Sequence, residues 1–159
     1  MTKKYIWIDC EFTGLDHKND KILEIACLVT DTNLKILDPS GLITRVRNSK
    51  NTPQDVEKQL ISYLKRFIGR DKGILCGNSV YVDRIYIEKD FPKVVELLYF
   101  RQIDVSSIRE FGLVHNNLLM MRAPRKNNKH EAMEDIKESI AELRWYANNY
   151  LKKSPLYQC

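Results

Sequence analysis

The order of apolar runs along this chain limits the folds open to it more than any single residue does. Three runs rich in β-branched residues come first, over residues 5–9, 22–30 and 34–37, the last continuing after Pro39-Ser40-Gly41 into residues 42–46. Thr13-Gly14 and Asp31-Thr32-Asn33 separate them, the punctuation of an antiparallel meander. From Pro53 the period changes. Val56, Leu60, Tyr63, Leu64 and Phe67 recur at helical spacing, with Thr52 at the N-cap, Pro53 at the first helical position and an end near Gly69. Ile74-Leu75-Cys76 reads as a short buried strand, and residues 80–89 return to the helical period. Phe91-Pro92 breaks that helix, residues 94–99 predict another short one, and residues 102–105 predict a strand feeding a helix that starts near Ser106. Residues 132–150 form a long amphipathic helix bearing Ile136, Ile140, Leu143 and Ala147, preceded by a basic, polar connector over residues 122–129. Strands first, then strands alternating with helices, predict an α/β fold with a mixed central sheet flanked by helices.

A chain of 159 residues that is 43% apolar holds one well-buried core and is short for two, so a single domain over residues 1–159 is expected. Its 26 Lys and Arg against 21 Asp and Glu give a formal charge of +5, which favours a polyanionic partner. Cys10, Cys27, Cys76 and Cys159 form no CxxC pair, and three of them lie in apolar runs. They read as reduced thiols of an intracellular protein, with zinc ligation the poorer alternative. The first apolar run starts at Tyr5, leaving no room for a signal or transit peptide, and no stretch reaches membrane-spanning length. A cytoplasmic protein with no membrane partner is the expectation.

Asp9 and Glu11 end the first apolar run two residues apart, so strand alternation puts both carboxylates on one face. A strand that simply runs out into a polar turn would look the same. More carboxylates stand at Asp83, one turn into the helix after Gly77-Asn78-Ser79, and at Asp135, five residues after His130. Taken singly, Asp83 reads as a solvated helix charge, Asp135 competes with Glu134 and Glu138, and His130 reads as a cap or surface residue. The joint pattern of D-x-E, a mid-chain Asp after a Gly turn, and H-x4-D opening the last helix points to chemistry. Carboxylate oxygens suit hard cations such as Mg²⁺ or Mn²⁺, and two such ions about 3.5–4 Å apart serve phosphodiester hydrolysis. His130, with an unperturbed pKa of about 6.5, fits as a general base. A serine hydrolase is disfavoured, since no G-x-S-x-G motif is present.

In this order the residues resemble the oligoribonucleases, within the DEDD exonuclease superfamily that has a histidine-type third motif. The matching stretches are Trp7-Ile8-Asp9-Cys10-Glu11-Phe12-Thr13-Gly14-Leu15-Asp16, Ile22-Leu23-Glu24-Ile25-Ala26, Gly77-Asn78-Ser79-Val80 with Asp83, Arg101-Gln102-Ile103-Asp104-Val105-Ser106, and His130-Glu131-Ala132-Met133-Glu134-Asp135-Ile136. The resemblance implies an RNase H-like exonuclease fold, a homodimer, two Mg²⁺ or Mn²⁺ ions, and 3′-to-5′ degradation of short single-stranded RNA to 5′-mononucleotides. By position, Asp9, Glu11, Asp83 and Asp135 match the family's metal ligands and His130 its general base. Leu15 matches the residue that wedges between the two bases of a dinucleotide; a turn leucine covering core would occupy the same place. Ser79, Arg101 and Ser106 match residues that hold a 5′ phosphate. Phe100 stands where the family has a tyrosine that reaches into the partner subunit's site, and it can stack but cannot donate a hydrogen bond. Between the third strand run and the Pro53 helix the family carries a longer segment with an aromatic and a histidine over the substrate, where this chain has only residues 47–52. Two rival readings accompany this one: an exonuclease of DNA or longer RNA, and a non-catalytic RNA-binding scaffold.

Overall fold

The computed structural model describes residues 3–46, 51–125 and 131–151. Five strands, β1 (Tyr5–Phe12), β2 (Ile22–Thr30), β3 (Leu42–Arg45), β4 (Gly73–Gly77) and β5 (Leu98–Asp104), form one sheet in the order β3-β2-β1-β4-β5. β1 is antiparallel to β2 and parallel to β4, so the meander half and the parallel half of this mixed sheet meet on it. Burial explains its central place. Ile6, Trp7 and Ile8 are consecutive and all are at most 1% exposed, which only a strand covered on both faces permits.

Helices supply the two covers. Ile6, Ile8 and Cys10 pack with Val56, Leu60 and Leu64 of α1 (Pro53–Ile68) and with Tyr86 and Ile87 of α2 (Tyr81–Asp90). Trp7 points the other way, into a second cluster with Ile136, Ile140 and Leu143 of α6 (Ala132–Asn149) and Val105 of α4 (Val105–His115). Its indole N–H donates to the Thr30 hydroxyl at 3.1 Å, so the largest buried side chain leaves no polar atom unmet. The helix α1 starts where local signals place it. Thr52 accepts from the Asp55 N–H while Asp55 accepts from the Thr52 N–H, a reciprocal cap of the kind whose loss costs about 1 kcal/mol.

Elsewhere tertiary contacts override the sequence pattern. Residues 34–37 form no strand, only a single bridge between Thr30 and Ile36. The Asp31 carboxylate takes the Asn33 and Lys35 N–H groups that a ladder would use, and Leu34 sits at a φ of 64°. The helix expected over residues 94–99 is only α3 (Pro92–Val95), because Leu98 already pairs with Gly73 at the start of β5. A further short helix, α5 (Asn117–Met120), follows α4. On α6, Tyr146 is buried and Ala147 only partly so, and Glu142 is 2% exposed. Cys10, Cys27 and Cys76 are buried free thiols, as expected. Among the described residues no helix is long and apolar enough to cross a membrane. The connector over residues 122–129 and the short segment over residues 47–52 lie partly outside the described residues.

Candidate active site

The parallel strands β1, β4 and β5 end at the same edge of the sheet, the edge where ligands collect in α/β folds. Along β1 the odd positions share the face of Trp7, so Asp9 and Glu11 look toward α6, which places Asp135 in its first turn. One carboxylate oxygen from each of Asp9, Glu11 and Asp135 lies within 4.8 Å of the others, and all three residues are half-buried. Three carboxylates this close repel one another unless a cation lies among them, and their hard oxygen donors suit a divalent one.

Asp83 approaches the same strand from the opposite side. It is 5% exposed, and its carboxylate accepts the Cys10 N–H at 2.9 Å, between the two acidic residues of β1. Its oxygens fall outside the cluster of three. Burial pushes its pKa up to about 7, against the opposing pull of the Cys10 bond. The sign of the consequence follows. A carboxyl raised in the folded state binds its proton there and not in the unfolded chain, so this group costs stability progressively as pH rises from about 4 to about 7, at up to about 1.4 kcal/mol per pH unit. In chelator, the melting temperature of the parent protein should therefore fall more steeply across that window than that of Asp83→Asn; identical slopes would mean that Asp83 is ionised throughout.

Leu15 is 81% exposed, so it does not cover core. The turn that carries it is nonetheless tied down. Tyr86 of α2 donates to the Gly14 carbonyl at 2.9 Å, and the Lys89 ammonium donates to the carbonyls of His17 and Asp20. Asp20 accepts from the Thr13 hydroxyl and the Asp16 N–H, and a Cβ at position 14 would strike its carboxylate, which is why glycine stands there.

Ser79 and Ser106 meet at the ends of β4 and β5. The Ser79 N–H, held at a φ of 51°, donates to both the Asp104 carboxylate and the Ser106 Oγ at 3.0 Å. Asp104 also caps α4 by accepting the Ser106 N–H at 3.0 Å. Arg101 packs its guanidinium over the Phe100 ring, 5.0 Å from the centroid, and Phe100 itself is 67% exposed. Tyr99 lines a cleft with Phe67 and Ile68, and its ring centroid lies 4.5 Å from that of Phe100. His130 lies outside the described residues. Sequence reasoning missed Asp104 and the buried Glu142. A carboxylate three and four residues from Ser139 and Tyr146 on an apolar helix face was the available signal for Glu142.

Comparison with known proteins adds a second line of support. The family model described as Exonuclease matches residues 6–54 and 35–143, two segments that overlap over residues 35–54 rather than running through them. The mitochondrial oligoribonuclease of Saccharomyces cerevisiae is 41% identical over 186 aligned positions, covering 96% of this chain and 69% of that protein. The oligoribonuclease of Acinetobacter baylyi is 35% identical over 177 positions, covering 95% of this chain and 96% of that one. Both alignments are longer than the 159 residues here, so these relatives carry residues that this chain lacks. Escherichia coli exonuclease I, solved with a dT13 oligonucleotide, shares the fold at a TM-score of 0.69 and 13% identity, over 94% of this chain and 42% of that longer one.

Proposed function

We propose, for a chain that belongs to the Exonuclease family and within it to the oligoribonucleases, a division of labour among its own residues. The enzyme is a 3′-to-5′ exoribonuclease of short RNA. The observation that carries the reading of its site is the meeting of Asp9, Glu11 and Asp135, drawn from opposite ends of the chain onto one strand end. They hold divalent metal, two Mg²⁺ or Mn²⁺ ions, with Asp83 as the fourth ligand. Such ions supply the positive charge that lowers the pKa of water and steadies the leaving oxygen. His130 takes the proton of the attacking water. Leu15, presented on its pinned turn, inserts between the last two bases, while Ser79, Arg101 and Ser106 hold the 5′ phosphate, a task for which the planar guanidinium is well suited. A non-catalytic RNA scaffold would have no use for clustered carboxylates facing an anionic strand. A 5′-labelled RNA pentamer should yield successively shorter 5′-labelled products, and a blocked 3′ end should stop the reaction; cleavage of the blocked strand would overturn the polarity.

The residues that the relatives carry and this chain lacks bear on substrate length. A cleft of about 710 Å³ opens beside Thr13, Val46, Pro53 and Phe91, at the two ends of the short segment. An aromatic wall there would add about 1–3 kcal/mol of stacking per base and would block a longer strand. Its absence supports a flat preference across two to seven nucleotides. Initial rates that favour dinucleotide over heptanucleotide by a hundredfold would contradict this.

The second copy of the chain is the proposed partner. Phe111, Val114, Leu118, Met121 and Leu151 are exposed large apolar residues on or just after α4, α5 and α6, a surface that a second copy can cover. A homodimer covers them and brings Phe100 toward the other subunit's site. Light scattering should give twice the chain mass at micromolar concentration; a fully active monomer would refute the assembly. Buried free thiols support a reducing compartment such as the cytoplasm, although the yeast relative is named as mitochondrial.

A further inference from the structure

The polar chain behind Ser79 has a direction, set from α6 by the buried carboxyl group of Glu142 together with the Ser139 hydroxyl. Glu142 is 2% exposed. One of its oxygens accepts from the Tyr146 hydroxyl at 2.6 Å and the other from the Asn78 side-chain amide at 3.1 Å. The Asn78 NH₂ group spends its other proton on the Ser139 Oγ at 2.7 Å, and Ser139 in turn donates to the Asp135 carbonyl at 2.8 Å.

An asparagine amide has two ends of nearly equal shape, and its neighbours decide which way it faces. Here the Glu142 oxygens accept, so the NH₂ end faces α6 and the carbonyl end faces Ser106. The Ser106 hydroxyl then has to donate, and it does so to Asn78 Oδ1 at 3.0 Å. With its one proton committed, Ser106 Oγ presents lone pairs to the Ser79 N–H at 3.0 Å and to the Ser79 hydroxyl at 3.3 Å. That bond, with the Asp104 bond, holds Ser79 in a left-handed conformation that a residue other than glycine adopts only when its surroundings enforce it.

We propose that Glu142 and Asn78 are positioning residues for recognition of the substrate's 5′ end, acting through Ser106 to fix Ser79. The inference rests on the reading of Ser79, Arg101 and Ser106 as the 5′-phosphate site. Glu142→Gln replaces one acceptor oxygen by a donor and leaves Ser139 Oγ as the acceptor that remains on α6, so the preference of Asn78 for one orientation is weakened. Asn78 can then turn, Ser106 meets a donor where it had an acceptor, and Ser79 loses its fixed position. A buried polar chain of this kind is costly when half-satisfied, so the effect passes along it instead of staying at α6.

The test compares 5′-phosphorylated with 5′-hydroxyl dinucleotide on the Mn²⁺-loaded protein. The ratio of their kcat/KM values should fall by about tenfold in Glu142→Gln, the size of one hydrogen bond to a charged group. Asn78→Ala should lower the same ratio, and the double variant should add little, because both act on one chain. If Glu142→Gln does not fold, Asn78→Ala decides alone. A ratio equal to the parent's, or an equal loss on both substrates, would overturn the proposal and leave Glu142 a structural group. A parent protein that does not distinguish the two substrates would instead sink the phosphate site itself.

Discussion

Asp9→Asn, Glu11→Gln and Asp135→Asn should each leave a folded protein that has lost nearly all turnover. These three carboxylates lie at the rim of the sheet rather than in its core, half-buried and with their oxygens within 4.8 Å of one another, so the amide and carboxylate versions pack alike. What changes is charge. Removing one anion weakens the hold on divalent metal that the other two cannot supply alone, and the loss should be at least the roughly 10²–10³-fold that one preorganised electrostatic contact is worth. Asp83→Asn should join them in activity and depart from them in stability, because burial pushes the pKa of the Asp83 carboxyl up to about 7. Circular dichroism and rates at saturating Mn²⁺ check all four. Any variant that keeps close to the parent rate removes that residue from the ligand set.

The second large effect is expected at His130. His130→Ala should lower the rate by about 10²–10⁴-fold, the range for a positioned general base, while metal affinity stays close to that of the parent. The two readouts separate the base role from ligation, since a ligand would fail in both. An unchanged rate near neutral pH, or a loss of Mn²⁺ affinity as large as in Asp135→Asn, would take His130 out of the base role.

Much of the scaffold was legible because its signals are local. The Thr52 cap, Pro53 and the helical spacing that follows act within a few residues, and β2 coincides with its apolar run at both ends. The failures were non-local or lay in side-chain competition. Asp31 diverts the backbone donors of residues 33 and 35 into a turn, and β4 captures Leu98 that local pattern assigns to a helix. At the site, alternation was enough to align Asp9 with Glu11, and the spacing of the last helix was enough to offer Asp135. That Asp83 reaches the Cys10 N–H depends on how α2 packs against β1, a contact between residues 73 apart in sequence. Glu142 stayed hidden for a similar reason: a glutamate on a helix normally faces water, and only the Asn78 and Tyr146 partners make its burial affordable.

The most direct measurement is incubation of the purified protein with end-labelled RNA and DNA strands of two to twenty nucleotides in Mn²⁺, Mg²⁺ or chelator, with the products resolved by length over time. Short RNA should shorten from its 3′ end to mononucleotides in either metal and remain intact in chelator, with DNA degraded more slowly. Equal or faster loss of DNA and of the longest strands, or activity that persists in chelator, would contradict a metal-dependent oligoribonuclease.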